Sequence, residues 1–188
     1  MEKLSISIIL GTAREGRDSE KVAQFVLQEV KKRSEIEPVF VDIKDYISGK
    51  TSRLSDEQSE KNKKWHDIAE KADGFLFVIP EYNHSFPGEF KMFIDTLFKE
   101  YAKKPAAICG VSNGAFGGTR MIDAVRPVLS YLGMIPVSPT VQFMKVNELF
   151  DTKGAILDEA YGKKVSAMLD ELIWYTKAMK EARKTIKK

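Results

Sequence analysis

The sequence predicts an α/β domain: a parallel β-sheet with helices on both faces. Three observations lead there. Strand-like apolar runs alternate with amphipathic helical stretches along the whole chain, the order that produces parallel strands joined by helical crossovers. The run Gly74-Phe75-Leu76-Phe77-Val78-Ile79 is apolar without alternation, as a strand covered on both faces requires. The stretch from Leu4 to Leu10 passes through Gly11 and Gly16 to a helix start near Ser19, the strand–turn–helix unit of such folds.

Composition sets the bounds. The chain has 188 residues, 43% hydrophobic and 30% charged, with a net charge of +3. This describes one globular domain over residues 1–188 with a full core. Part of the positive charge sits in Lys180, Arg183, Lys184, Lys187 and Lys188, read as a solvated helix end; no nucleic-acid partner is expected. One cysteine, Cys109, excludes an internal disulfide framework and suits a reducing compartment. No apolar run reaches membrane-spanning length and no leader precedes the first strand, so the expected location is the cytoplasm.

Taken in order, Leu4–Leu10 is the first strand. The loop after it carries Thr12, Arg14, Arg17 and Ser19, and Asp18 or Ser19 is placed to cap the following helix, with Val22, Phe25, Val26 and Val30 on one face. Unpaired N–H groups at a helix start, two arginines and two hydroxyls make a phosphate cradle. The spacing Gly11-x4-Gly16 nearly matches a nucleoside-triphosphate loop, but Arg17-Asp18 stands where Lys and Ser or Thr should follow. The dinucleotide pattern fails because position 13 is Ala. A single phosphate monoester fits what remains; an ordinary strand-to-helix turn with solvated arginines fits it too.

Val39–Ile43 is the second strand, and the polar stretch Asp45–Ser59 an excursion loop. Glu60–Lys71 is a charged helix with Trp65 and Ile68 on its inner side. Gly74–Ile79 is the third strand, and Pro87-Gly88 opens a helix bearing Phe90, Phe93, Ile94, Leu97 and Phe98. Ala106–Val111 is the fourth strand. The next helix carries Met121, Val125, Leu129 and Leu132, with Pro127 expected to kink it. Ile135-Pro136-Val137 and Val141 form a short fifth strand, and a long helix with Tyr161, Val165, Met168, Leu169, Leu172 and Ile173 on one side ends the chain. Five strands in the order 2-1-3-4-5 give the flavodoxin-like, doubly wound arrangement, whose ligand lies at the carboxyl ends of strands one and three.

The loop after strand three is Pro80-Glu81-Tyr82-Asn83-His84-Ser85-Phe86-Pro87-Gly88. The loop after strand four is Ser112-Asn113-Gly114 through Gly117-Gly118-Thr119-Arg120. Two prolines stiffen the former. The glycines of the latter allow backbone to approach a ligand. A phosphate and two edges of a flat heterocycle make the outline of FMN.

Here the chain resembles the NAD(P)H-dependent FMN reductases of flavodoxin-like fold, which include quinone and chromate reductases. Gly11-Thr12-Ala13-Arg14 with a displaced Ser19 is similar to the family's G-[ST]-x-R-x-x-S segment. Pro80 through Gly88 is similar to P-E-Y-N-x-S-x-P-G, followed by Lys91, Ile94 and Asp95 of an L-K-x-x-I-D helix. Gly110-Val111-Ser112-Asn113-Gly114 through Arg120 is similar to G-x-S-x-G-x-x-G-G-x-R. The resemblance covers residues 4–135. It implies that Thr12, Arg14 and Ser19, helped by Arg17, bind the FMN phosphate. It also implies that Pro80, Glu81, Tyr82 and Asn83 line the isoalloxazine, with Ser112, Asn113 and Gly114 at its other edge. Two departures stand out: Asp18 lies where phosphate is expected, and Met92-Phe93 replaces the Asn-Ala common after the helix lysine.

The implied activity is electron transfer from NADPH or NADH through bound FMN to a quinone, free flavin, azo compound or metal oxyanion, in a homodimer or homotetramer. The cofactor carries the chemistry, so no catalytic triad is required. An FMN-binding electron carrier or sensor is the alternative, but a near-neutral chain lacks the one-signed docking face a carrier would use. His84 reads as a wall or turn residue, His66 as solvent-facing and Cys109 as a buried thiol. With so few such residues, so far apart, no metal site is expected. The cluster Phe90, Phe93, Phe98 and Tyr101 reads as core, with part left to face a second subunit.

Overall fold

The computed structural model describes residues 2–47 and 60–186. Its sheet is parallel throughout. The order is β2 (Ile36–Asp42), β1 (Leu4–Leu10), β3 (Gly74–Pro80), β4 (Pro105–Val111), and then two short strands, β5 (Ile135–Pro136) and β6 (Val141–Phe143). Both short strands pair with β4, β5 at Pro105–Ala106 and β6 at Cys109–Val111. The expected fifth strand is thus present in two pieces, and the order 2-1-3-4-5 holds. Pro136 and Pro139 lack the N–H that a continuous ladder would use there. β2 begins at Ile36, opposite Leu4, earlier than the expected Val39. It admits Pro38 because it is an edge strand.

Helices α1 (Ser19–Lys31) and α5 (Ala160–Thr185) cover one face of the sheet. Helices α2 (Glu60–Lys71), α3 (Gly88–Ile94) and α4 (Thr119–Tyr131) cover the other. β1 sends Ile6, Ile8 and Leu10 toward α1 and α5 and Ile9 toward the opposite layer; β3 does the same with Leu76 and Val78 against Phe75, Phe77 and Ile79. Every residue of β3 and β4 is buried, which explains their unbroken apolar runs. α4 continues through Pro127 to Tyr131. The excursion read at Asp45–Ser59 lies, from residue 48 onward, outside the described residues.

Several side chains depart from expectation. Phe93 is buried against Trp65, their ring centres 4.5 Å apart, so it fills this chain's own core rather than a partner surface. Phe98 is the exposed member of its group, in edge contact with exposed Tyr131. His66 is not free in solvent: its Nε2 lies 3.3 Å from Glu100. The C-terminal cations are not all solvated either. Lys180 Nζ donates to Asp73 at 2.8 Å, and Arg183 reaches both Asp73 and the carbonyl of Lys103. This ties α5 to the amino end of β3, because the buried Asp73 carboxylate needs partners. Lys104 is buried with its ammonium on the carbonyls of Ala69 and Glu70, at the end of α2. Burial, with Arg183 nearby, pulls its pKa down to about 8. The Cys109 thiol is fully buried, touching Met168, and burial pushes its pKa well up.

Candidate cofactor site

Because β1, β3 and β4 are adjacent and parallel, their carboxyl ends form one edge and the three loops that follow them share it. Each loop is fixed to the scaffold by its own backbone. Gly11 N–H donates to Val78 O at 2.8 Å, Glu81 N–H to Val111 O at 2.9 Å, and Ser112 N–H to Phe143 O at 3.1 Å.

In the first loop Gly16 turns the chain at φ +66, a backbone angle that suits glycine. Arg17 folds back into the protein. Its side chain is 4% exposed, and both terminal nitrogens meet the Asp42 carboxylate at the end of β2. The same guanidinium donates to the carbonyl of Thr12. Arg17 therefore bolts the loop to the sheet. Arg14 differs: it is exposed, lies over the Tyr82 ring at 5.7 Å, and has no carboxylate partner among the described residues. Asp18 occupies the cap position of α1 but makes no side-chain cap and pairs with Lys21 at 3.2 Å. Ser19 is 2% exposed, and its hydroxyl has no hydrogen-bond partner. The expected side-chain cap is thus not made, which leaves the helix start open to an outside anion.

Thr12 is buried beneath the loop. Its hydroxyl donates to Glu89 Oε1 at 2.8 Å and contacts the Tyr82 hydroxyl at 3.0 Å. In the second loop Tyr82 and Ser85 exchange backbone bonds of 2.8 and 3.0 Å around Asn83 and His84, at φ 49 and 64. Two positive angles in a two-residue connection define a type I′ turn, and it points Asn83 and His84 into solvent. The Glu81 carboxylate turns to the start of α4, 3.4 Å from Met121 N and 3.7 Å from Arg120. With the residue's N–H held by Val111 O, only its backbone carbonyl remains for a ligand.

The third loop is stitched to the segment after β6. Val146 N–H donates to Ser112 O at 3.2 Å, and Asn147 N–H to Asn113 Oδ1 at 3.0 Å. Gly117 and Gly118 serve the protein itself: a Cβ on Gly118 would sit 2.7 Å from Val111 N, and one on Gly117 2.7 Å from Gln142 Cβ. Their absent side chains let the loop close on β4 and β6, not on a ligand as read from sequence.

The loops enclose an open cleft of about 280 Å³ between Arg14, Arg17 and Ser19 on one side, Pro80, Glu81 and Tyr82 behind, and Ser112 and Asn113 opposite. Thr12, Asn83 and Gly114 do not line it: Thr12 lies behind the wall, and the other two lie beyond its rim. Val111 and Val146 complete the apolar wall. Val146 escaped the sequence reading because nothing in its neighbourhood marks it; only the return of the chain after β6 brings it here. Asp42 and Glu89 were also missed, being ordinary carboxylates whose roles arise from contacts across the sheet. The arrangement offers an unpaired guanidinium, a buried hydroxyl without a partner and an uncapped helix start for a phosphate, with Asp18 beside them, next to a slot that Pro80, Tyr82, Val111 and Val146 wall between polar ends. These features fit a flat ring carrying one phosphate. Among the described residues, no three His, Cys, Asp or Glu are placed to hold a metal ion.

Comparison with known proteins agrees. The profile of the NADPH-dependent FMN reductases matches residues 4–148. An NAD(P)H-dependent FMN reductase of Pseudomonas aeruginosa is 35% identical over 109 residues, 55% of this chain and 59% of that protein, so the match spans little more than half that relative's length. A quinone reductase of Pseudomonas putida is 31% identical over 161 residues, covering 82% of this chain and 86% of that one. The fold matches that of FerB, a flavoenzyme NAD(P)H:(acceptor) oxidoreductase from Paracoccus denitrificans. The TM-score is 0.79 at 22% identity, over 94% of this chain and 98% of FerB.

Proposed function

The chain belongs to the NADPH-dependent FMN reductase family, flavin-dependent oxidoreductases, and we propose that it passes electrons from NADPH or NADH through FMN to a small acceptor. A quinone or free flavin suits best, with azo compounds and metal oxyanions as further candidates. When bound, FMN supplies the two-electron chemistry. The residues of this chain position and polarise. Arg14 and the Ser19 hydroxyl take the phosphate, with the open start of α1 behind them. Pro80, Tyr82, Val111 and Val146 wall the ring, and the backbone carbonyl of Glu81 is offered to one edge of it. Ser112 and Asn113 meet the opposite edge, while Arg17 supports the loop from behind. Asn83 and Gly114 act at the rim. One observation carries this reading: an unpartnered buried hydroxyl and an unpaired arginine share a cleft with Tyr82 of the loop after β3.

The cleft is open, so a second reactant can reach the ring from solvent. Among the described residues Arg14 is the one titratable group of the cleft lining without a hydrogen-bond or carboxylate partner, since the Tyr82 hydroxyl is bonded to Thr12, which accords with chemistry carried by the cofactor. A homodimer or homotetramer is the assembly we propose, supported by the exposed Phe98–Tyr131 pair. We propose the cytoplasm as its location, supported by a single, fully buried cysteine. Among the described residues no helix is long and apolar enough to cross a membrane. Small molecules, not nucleic acid, are the partners that suit this site, and the whole chain acts as one domain.

The test is to load purified protein with FMN and follow NADPH and NADH oxidation with a quinone, then with excess free FMN. Uptake of FMN with turnover supports the proposal. Uptake without turnover points to an electron carrier, and no uptake overturns the reading of the cleft.

A further inference from the structure

We propose that Glu89 is an internal competitor for the cofactor phosphate, holding the loop's donors to itself so that FMN binds weakly enough to exchange. The inference rests on the cleft being the FMN site. Glu89 is the second residue of α3, half-buried, and it reaches across to the first loop. Its Oε1 accepts from the Thr12 hydroxyl at 2.8 Å and lies 3.4 Å from the Ala13 N–H. A threonine hydroxyl has one proton and two lone pairs. Here the proton goes to Glu89, while the lone pairs face the Tyr82 hydroxyl at 3.0 Å and the Arg14 N–H at 3.3 Å. Thr12 is saturated, and the Tyr82 proton is spent on Thr12. Two hydroxyls and a backbone N–H beside the cleft thus point, as one chain, toward an anion belonging to the protein.

Of these donors only Tyr82 lines the cleft, its proton already spent on Thr12. A phosphate gains Thr12, which stands behind the wall, only when its hydroxyl turns away from Glu89, whose carboxylate of like charge stands behind both. The loop does not need Glu89 to hold its shape, because Arg17–Asp42 and Gly11–Val78 already fix it. The consequence is a flavin that comes and goes, as a reactant would, rather than one retained through many turnovers.

The test compares FMN with riboflavin, which has the same ring and no phosphate. Both are titrated by flavin fluorescence into wild type, Glu89→Gln and Glu89→Ala, with thermal melts of the flavin-free proteins to confirm folding. FMN should bind about tenfold more tightly or better to both variants, the gain expected when charge-assisted donors are released. Riboflavin affinity should move by less than about twofold, since it presents no charge to compete. An FMN affinity that is unchanged or weaker in both variants overturns the proposal, and so does a gain that riboflavin shares equally. If wild type and variants take up neither flavin, the cofactor reading itself fails and the competition fails with it.

Discussion

Arg14 and Arg17 stand three residues apart in one loop, yet their removal should have opposite consequences. The Arg17 side chain is 4% exposed and faces an Asp42 carboxylate that is 10% exposed. Taking away one partner of such a pair leaves a buried charge and costs about 3–5 kcal/mol. Lys44, 52% exposed and 3.2 Å from Asp42, offsets part of that, so about 3 kcal/mol is expected. For a chain of this size each kcal/mol moves the thermal midpoint by about 2–4 °C. Arg17→Met should therefore melt roughly 6–12 °C lower without flavin. Arg14 is exposed and unpaired, so Arg14→Met should change stability by less than about 0.5 kcal/mol. What it should lose is a charge-assisted bond to phosphate, about 1.5–3 kcal/mol, or roughly ten- to a hundredfold in FMN affinity. Circular dichroism melts and fluorescence titration read the two effects separately. Arg14→Met binding FMN as tightly as wild type, or Arg17→Met melting with it, would refute the division of labour.

Three further outcomes are expected. Ser19→Ala removes a buried hydroxyl without a partner, so the flavin-free protein should be unchanged or up to about 1 kcal/mol more stable while FMN binds roughly five- to tenfold more weakly; equal FMN affinity would exclude the hydroxyl from the site. His84 sits at φ 64, where glycine is at ease, and His84→Gly should gain about 1 kcal/mol in urea unfolding and keep NADPH oxidation. Loss of activity would instead give the imidazole a part in proton transfer. Lys104 has its pKa pulled down to about 8 from 10.5 by burial. Between those values the unfolded chain binds the extra proton, so this residue makes stability rise with pH across that window. Urea unfolding of wild type and Lys104→Met from pH 7.5 to 10 should show the difference moving in favour of wild type, and a flat difference would contradict the assignment.

The strands and helices were legible in the sequence because each follows from periodicity: unbroken apolar runs for β3 and β4, spaced Val22, Val26 and Val30 for α1. Three loops at one edge then follow from parallel order. What spacing does not carry is how a charged side chain spends its charge. Arg14 and Arg17 look alike in the sequence, and Asp42, twenty-five positions on, decides between them. Thr12 reads as a phosphate donor, and nothing near it in the sequence shows that its hydroxyl donates to Glu89. Gly117 and Gly118 read as ligand contacts, but β4 and β6 press on them from within. The group Phe90, Phe93, Phe98 and Tyr101 reads as core with part left for a second subunit, and only Trp65, found beside Phe93, shows that Phe93 belongs to the core part. In each case the deciding partner is distant in sequence.

Amide hydrogen exchange with and without FMN tests the central claim most directly. If the three loops grip one flavin, residues 11–19, 80–88 and 112–118 should gain protection together on FMN binding, with the outer faces of α2 and α5 unaffected. Protection confined to one loop, or appearing elsewhere while these segments exchange as before, would contradict it.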